Sequence, residues 1–218
     1  MHQKLTITLI IITIVIAVAA VFQIRAELTP KINRMNLAHH GEVKIKTPLT
    51  VALLSDLHLS ESDRALSDLR ELWAEIVSEA PDVILLAGDY TKRAGSVVDM
   101  ENHRINVSKI LGQSNDIPVV AVLGNYETNS APLLWLMTFR DQGIRVLNNE
   151  VTLLQSEALC VRGLGDYFTG QFRYIEFPSE CDGLRKISLT HDPAGAFHPT
   201  MRGIVLAGHT HCGQIRFP

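Results

Sequence analysis

Histidine and carboxylate side chains recur at one kind of position in this chain, directly after short apolar runs. The apolar run 204–207 leads through Gly208 into His209 and His211, two positions apart. A short apolar run that ends at a glycine is typical of a buried strand, and imidazole is the commonest metal-ligand side chain. One such pair of histidines is a weak signal by itself. It becomes strong because four other strand-like runs end in the same way.

These four runs are followed by Asp, Asn or His side chains, which are, in chain order, Asp56 and His58, Asp89, Asn125, and His191. Together the seven residues offer oxygen and nitrogen donors that suit Mn²⁺, Fe²⁺ or Zn²⁺ and do not suit copper(I) or an iron–sulfur cluster. Seven ligands exceed the four of a tetrahedral zinc ion, but they fit two divalent ions that share a carboxylate. Such a pair can lower the pKa of a bound water and hold both oxygens of an in-line phosphoryl displacement.

Three β–α passes must position the first of these residues. The predicted strands cover residues 49–54, 82–87 and 118–123, and the predicted helices cover 63–79, 96–112 and 131–142. Ser62 is the expected N-cap of the first helix, and Ser130 with Pro132 is expected to start the third. Successive β–α passes predict parallel strands with helices packed outside them. In such sheets ligands bind at the carboxyl ends of the strands.

The second half of the chain has a different pattern, because its short apolar runs alternate with turns and show no helical periodicity. We predict strands over residues 145–148, 150–155, 158–162, 186–190 and 203–207. These strands are expected to form a second sheet packed on the first. The predicted fold class is therefore α/β, a layered β-sandwich flanked by helices.

The order of the motifs resembles the signature of the calcineurin-like metallophosphoesterases over residues 49–216: Asp-x-His, Gly-Asp, Gly-Asn, a lone His, and Gly-His-x-His. Residues 163–167, 191–193 and 208–214 are most similar to a membrane-anchored bacterial subgroup. The resemblance implies one metal ion held by Asp56, His58 and His211, a second held by Asn125, His191 and His209, and Asp89 as the bridge. It also implies hydrolysis of a phosphodiester or pyrophosphate bond, in some members within lipid-linked UDP-2,3-diacylglucosamine.

One position departs from this family pattern. The family has a histidine after Gly-Asn, where it is taken to protonate the leaving group or steady the phosphate, and this chain has Tyr126. A phenol donates a hydrogen bond but is a poorer proton shuttle at neutral pH. We therefore predict Tyr126 and Glu127 as catalytic residues, with His198 as another candidate acid. Asp166 is expected to cap a turn or to help orient the site.

This departure leaves a second hypothesis open, in which the chain is a weak or inactive member that binds metal and partners as a membrane-tethered module. A zinc amidohydrolase-type enzyme also places histidines at strand ends. The amide ligand Asn125 is not its usual donor, which makes that interpretation the weaker one.

The N-terminal part predicts a membrane anchor. Residues 5–24 carry no charge, and 20 residues at about 1.5 Å each match a bilayer core of about 30 Å; a cleaved signal peptide is the alternative. The predicted organisation is an anchor at 1–24, a linker at 25–48 and a phosphoesterase domain at 49–218. Relatives continue for several strands past the last motif, so the domain is expected to be short at its C-terminus.

The charges and the cysteines bear on the partners, the membrane orientation and the covalent structure of the chain. The formal net charge of −3 argues against a nucleic-acid-binding surface. Basic residues after the apolar segment favour an inner-membrane protein with a cytoplasmic domain. Three cysteines without regular spacing are expected to be free thiols, and the alternative is a single bridge between Cys160 and Cys181.

Overall fold

The computed structural model describes Thr13 and residues 32–37, 47–92 and 96–211. The chain divides into two compact units, Met1–His40 and Gly41–Pro218. The predicted anchor at 1–24, apart from Thr13, and most of the predicted linker lie outside the described residues. Within the described parts of the chain, no helix is both long enough and apolar enough to cross a bilayer.

The first sheet contains four parallel strands in the order β1-β2-β3-β4. Their bounds are β1 Val51–Leu54, β2 Val83–Leu86, β3 Val119–Ala121 and β4 Arg145–Val146. The helices between them are α1 Asp63–Ser78, α2 Val97–Leu111, α3 Asn125–Ser130 and α4 Pro132–Asp141. The prediction of three β–α passes is confirmed.

The fourth strand corrects our assignment of residues 145–148 to the second sheet. β4 pairs in parallel with β3, through Val120 with Arg145 and Ala121 with Val146. Helix α4 returns the chain beside β3, so this segment completes one more β–α pass. Its length of two residues left too little apolar pattern to reveal the pairing partner.

The predicted helix starts are confirmed except for one cap. The Ser62 side chain accepts a hydrogen bond from the Ala65 N–H and caps α1, as predicted. Pro132 begins α4, as predicted, but the N-cap is Ala131, while the Ser130 hydroxyl donates to the Glu127 carbonyl. Ser130 does not cap α4 because it belongs to α3, a short helix that the apolar pattern did not predict.

The second sheet has the order β5-β6-β7-β8, with bounds β5 Glu150–Leu154, β6 Leu159–Gly163, β7 Arg185–Thr190 and β8 Ile204–Ala207. β5 and β6 form an antiparallel pair, and β6, β7 and β8 are mutually parallel. Two short 3-10 helices, Ser179–Cys181 and Pro193–Phe197, lie before and after β7.

One buried cluster joins the two sheets. Its members are Val83, Leu85, Ala87, Val120, Val122 and Leu147 from the first sheet, and Leu154, Leu159, Val161, Ile187 and Leu189 from the second. Alternate residues of β2 belong to this cluster, and the other residues of β2 are also fully buried. A parallel strand that is covered on both faces reads as a continuous apolar run. The layered α/β class is therefore confirmed.

The expectation of three free thiols is wrong, because Cys160 and Cys181 form a disulfide with a Cα–Cα distance of 5.9 Å. Cys160 lies in β6, and Cys181 ends the 3-10 helix just before β7. Parallel pairing of β6 with β7 brings these two distant positions together. The two cysteines are 21 residues apart, and the sequence contains no regular cysteine spacing from which the bond could have been predicted.

Candidate metal centre

The seven predicted ligands follow the carboxyl ends of five strands: β1, β2, β3, β7 and β8. The folded chain brings them to one place. Two groups of donor atoms form, each with all its members within 4.8 Å of one another: Asp56, His58 and His211, and Asp89, His191 and His209. Each group has the donor types that could hold a divalent metal ion.

Asp89, a member of the second group, also approaches the first. Its Oδ2 atom is 3.5 Å from His58 Nε2 and 3.4 Å from His191 Nε2. Its Oδ1 atom accepts a hydrogen bond of 3.0 Å from the Tyr126 N–H. One carboxylate oxygen is thus fixed by the backbone, while the other faces a ligand from each group. This arrangement fits a bridging carboxylate.

Asn125 belongs with the second group, because its Oδ1 is 3.0 Å from His191 Nε2. The Nδ1 atom of His191 lies 2.7 Å from the carbonyl oxygen of Ala87. Because a carbonyl can only accept, Nδ1 carries the proton and donates. This leaves Nε2 as the nitrogen that could bind a metal ion, and the hydrogen bond holds the ring in that orientation.

The carboxylates give the site a negative potential that favours cations. Burial alone would lower the pKa of His191, but the hydrogen bond and charge of Asp89 raise it to about 9. Burial alone would raise the pKa of Asp89, but its hydrogen bonds with His191 and Tyr126 bring it below 3.8. Histidines must be neutral to bind a metal ion, so metal binding here would displace protons.

The backbone at the site is strained. Five of the seven ligands have a left-handed φ between +40° and +67°: Asp56, His58, Asp89, His209 and His211. Such a conformation costs a non-glycine residue about 1–3 kcal/mol and persists where the surrounding structure imposes it. Each strand ends one to four residues before its first ligand, so the chain turns within a few residues to bring the side chains together.

Three glycines allow the loops to approach each other. A Cβ atom on Gly124 would collide with Asp89 Oδ1, and one on Gly208 would collide with the Ser55 hydroxyl. Gly88 has a φ of +92°, and a Cβ there would lie 2.5 Å from the Gly124 nitrogen. These contacts leave no room for a side chain between the strand ends.

Glu127 lies beneath the ligands, with a buried carboxylate. Its oxygens accept hydrogen bonds from the N–H groups of Asp89 (2.8 Å), Tyr90 (2.9 Å) and Gly124 (3.0 Å). Burial, followed by the charge of Asp89, raises the pKa of Glu127 to about 7. Through these contacts Glu127 connects the ends of β2 and β3. Its carboxylate is buried and is not exposed to a substrate.

The other predicted residues differ in how they relate to the site. Tyr126 is 39% exposed, and its ring meets that of His58 edge-on at 4.8 Å. His198 stacks on Tyr174 at 4.7 Å, and within the described parts of the chain it contacts neither metal-binding group. Asp166 Oδ2 accepts from the N–H of Thr169, the turn contact expected of it.

Sequence reasoning missed the supporting role of Glu127, although a signal was present. Glu127 is the third residue after Gly124, the N-cap of α3, and its side chain bonds the N–H of that N-cap. This is the spacing of a capping box. The Ala87 carbonyl that orients His191 carries no such signal, because any residue offers a carbonyl.

The site is therefore suited to two divalent ions that share Asp89. When bound, such ions supply Lewis-acid chemistry, activating water and offsetting charge on phosphoryl oxygens. The protein side chains supply the donors, the fixed orientation of His191 and a rigid connection between strand ends. These are the requirements of phosphoryl transfer to water.

Comparison with known proteins agrees with this geometry. A family model described as calcineurin-like phosphoesterase matches residues 49–213, which is more than half of the chain. The chain is 30% identical over 182 residues to "Phosphodiesterase YaeI" of Escherichia coli, covering 78% of this chain and 63% of that protein. It is 27% identical to "Uncharacterized protein YpbG" of Bacillus subtilis, covering 81% and 66%.

A third relative is the zebrafish (Danio rerio) "Transmembrane protein with metallophosphoesterase domain", 25% identical over 98% of this chain and 51% of that protein. The chain thus spans between about half and two thirds of the length of these curated relatives. The family match, the ordered motifs and the convergence of their side chains agree. This chain belongs to the calcineurin-like phosphoesterase family.

Proposed function

We propose that this chain hydrolyses phosphodiesters, using two divalent ions held by the seven residues described above. The observation that carries the proposal is the position of Asp89 Oδ2, which lies within 3.5 Å of a histidine from each group. The name of the Escherichia coli relative, a phosphodiesterase, supports the same reaction class. Mn²⁺, Fe²⁺ and Zn²⁺ all suit the donor set.

Hydrolysis of bis-p-nitrophenyl phosphate by the purified full chain tests this proposal. We expect activity with Mn²⁺, loss of activity after treatment with a chelator, and recovery when Mn²⁺ is restored. Asp89→Asn should reduce the rate by at least about 100-fold, because it weakens the connection between both ions. Asp141→Asn, at an exposed end of α4, is the matched control. Activity that survives both the chelator and Asp89→Asn would contradict the proposal.

A second candidate is a metal-binding member with little turnover, and Tyr126 favours it. The relatives that the sequence resembles carry a histidine there, and the tyrosine phenol is a poor proton donor to a leaving group at neutral pH. Tyr126→His should then raise hydrolysis of alkyl phosphodiesters by about 10²–10⁴-fold. The gain should be smaller for p-nitrophenyl esters, whose leaving group needs little protonation. Turnover by the wild type with Mn²⁺ that a chelator abolishes, and that Tyr126→His does not raise, would remove this candidate.

We also propose, as finer parts of the same function, attachment to the membrane and a substrate that is lipid-linked, such as UDP-2,3-diacylglucosamine. The uncharged residues 5–24 and the name of the zebrafish relative support the attachment. The proposal of a lipid-linked substrate rests on the predicted anchor and on the resemblance to a membrane-anchored subgroup. Hydrolysis rates on lipid-linked pyrophosphates, phospholipids and cyclic nucleotides would test it. The absence of any preference for lipid-linked substrates would contradict it.

We expected the domain to face the cytoplasm, and we now propose the opposite side of the membrane. Disulfides are rare in cytosolic proteins and common in oxidising compartments. The bond between Cys160 and Cys181 supports a domain that faces away from the cytoplasm.

A further inference from the structure

Two exposed aromatic rings lie beside the two groups of metal-binding residues, one at each group. Tyr126 meets His58 of the first group with ring centroids 4.8 Å apart. Phe168 meets His209 of the second group, with centroids 5.7 Å apart and the ring planes tilted by 41°. Phe168 is 67% exposed, so most of its ring faces solvent next to a candidate metal ligand.

A tightly bonded turn presents Phe168 at this position. The Gly170 N–H donates to the Tyr167 carbonyl across the turn, and Gly170 has a φ of +72°. The Asp166 carboxylate accepts from the Thr169 N–H, and the Asp166 carbonyl accepts from two further N–H groups after the turn. Phe168 stands at the tip of this turn.

The base of the same loop is also fixed. Asn149 Oδ1 accepts from the N–H groups of Gly165 and Arg173, and Asn149 Nδ2 donates to the Gln171 carbonyl. The disulfide between Cys160 and Cys181 closes the longer segment that contains the loop. The loop therefore holds the Phe168 backbone in place without help from the phenyl ring.

The ring does not contribute to the core. Tyr167, the preceding residue, packs against Phe172 with centroids 5.5 Å apart. Among the described residues, the Phe168 ring packs against one other ring, that of His209. A buried phenylalanine stabilises a fold because its ring is removed from water. The Phe168 ring is mostly exposed, so it contributes little of this stabilisation. An exposed apolar ring held beside a reactive centre is suited to contacting a ligand.

We propose that Phe168 is a specificity residue that contacts a planar, apolar ester substituent of the phosphodiester. This inference rests on the proposed phosphodiesterase function. A phosphodiester has two substituents, and an aromatic neighbour is available at each metal-binding group. Tyr126 carries a hydroxyl that can donate to a departing oxygen, and Phe168 carries no polar group. The substituent retained in the product is therefore assigned to Phe168.

Two substrates with the same leaving group test the assignment: phenyl p-nitrophenyl phosphate and methyl p-nitrophenyl phosphate. Release of p-nitrophenolate by the full chain with Mn²⁺ gives kcat/KM for each. Phe168→Ala should lower kcat/KM for the phenyl ester about 3- to 10-fold, the range expected for loss of one aromatic pair. The methyl ester should change less than about 2-fold, because it has no ring to lose.

Two further variants separate the possible causes. Phe168→Leu keeps an apolar side chain without a ring, and it should fall between the wild type and Phe168→Ala on the phenyl ester. Phe197→Ala is the matched control, because Phe197 is 86% exposed and its ring packs against no other ring of the described residues. It should leave both substrates unchanged. Equal changes on the two esters, or none, in Phe168→Ala would overturn the assignment.

A binding measurement keeps this result independent of turnover. Isothermal titration of the Mn²⁺-loaded chain with phenylphosphonate and methylphosphonate should show tighter binding of the phenyl compound, and Phe168→Ala should remove that preference. If the wild type hydrolyses neither ester, the proposed function fails, while the titration still decides the role of Phe168. A phenyl preference that is absent, or that Phe168→Ala leaves intact, contradicts the role.

Discussion

At the residue scale, the two carboxylate oxygens of Asp89 have different surroundings. Oδ1 is held by the Tyr126 N–H, while Oδ2 lies between His58 and His191. A carboxylate has enough lone pairs for a backbone donor and two cations together. The hydrogen bond to Oδ1 fixes the carboxylate plane and so helps to set the direction of the shared oxygen.

Glu127 gives the first prediction. Gln has nearly the same shape as Glu, but its NH₂ cannot accept, so at least one of the three backbone N–H groups bonded to Glu127 loses its partner. Glu127→Gln should weaken Mn²⁺ binding by about 10- to 100-fold, as is typical when a group that supports a metal ligand is removed. Titration of the chelator-treated chain with Mn²⁺ measures this.

Glu71→Gln, on the exposed side of α1, is the control and should leave the Mn²⁺ affinity unchanged. If Glu127→Gln binds Mn²⁺ as tightly as the wild type, Glu127 does not position the ligands. A loss of stability without a loss of affinity would lead to the same conclusion.

The seven ligand candidates could be predicted because each follows an apolar run, and parallel strands bring such positions to one edge. The roles of their neighbours could not. Glu127 was expected to act as a proton donor because it follows Tyr126, whereas the fold buries it under Asp89. Burial depends on which way α3 turns after β3, and a helix of six residues has no apolar periodicity from which to read that direction.

At the scale of the elements, the site depends on how closely the ends of β2 and β3 approach. The Val122 N–H donates to the Leu86 carbonyl at 2.9 Å, and the Tyr90 hydroxyl donates to the Val122 carbonyl at 2.6 Å. Burial raises the pKa of Tyr90 well above its usual value, so its hydroxyl remains a donor. These bonds extend the pairing of the strands up to the ligands themselves.

Gly124→Ala tests this approach. The new methyl group would collide with Asp89 Oδ1 and lie 2.6 Å from the Asp89 nitrogen, so the two strand ends must separate. We expect a loss of about 1–3 kcal/mol in the free energy of unfolding, the usual cost of overpacking, together with weaker Mn²⁺ binding. Denaturant unfolding and metal titration measure the two effects.

Gly143→Ala is the control, because Gly143 has a φ of +75° with open space around it. It should lose stability through backbone strain and keep its Mn²⁺ affinity. Equal affinity in Gly124→Ala and the wild type would show that the close approach is not needed for metal binding.

The elements themselves were largely predictable, since α1 and α2 lie within two residues of their predicted bounds. β4 was misassigned because two residues cannot indicate which sheet they join. The pairing is set by the Leu147 N–H, which donates to the Ala121 carbonyl at 2.8 Å. That is a tertiary contact, and local pattern does not encode it.

At the scale of the whole molecule, the disulfide ties the segment that carries Phe168 to the second sheet. Cys160 and Cys181 are both buried, so neither could form an intermolecular bond in the folded chain. Replacing both by serine should lower the free energy of unfolding by about 3 kcal/mol, because the bond closes a segment of roughly 20 residues. Thermal or denaturant unfolding of the oxidised wild type and the double variant measures the loss.

The same bond provides a test of compartment. Alkylation of the chain in its native cells, before any exposure to air, should leave Cys160 and Cys181 unmodified if the domain lies in an oxidising compartment. Mass spectrometry identifies the modified cysteines. Quantitative alkylation of both cysteines, when the chain is denatured in the presence of the reagent, would indicate instead that the domain faces the cytoplasm.

The central claim is that two cations meet at Asp89, and anomalous X-ray scattering from crystals of the Mn²⁺-loaded chain tests it most directly. We predict two anomalous peaks per chain, about 3.5–4 Å apart. Asp89 should contact both, one group of ligands should surround each, and Asp89→Asn should lose at least one peak. A single peak in the wild type, or two peaks that do not share Asp89, would contradict the account.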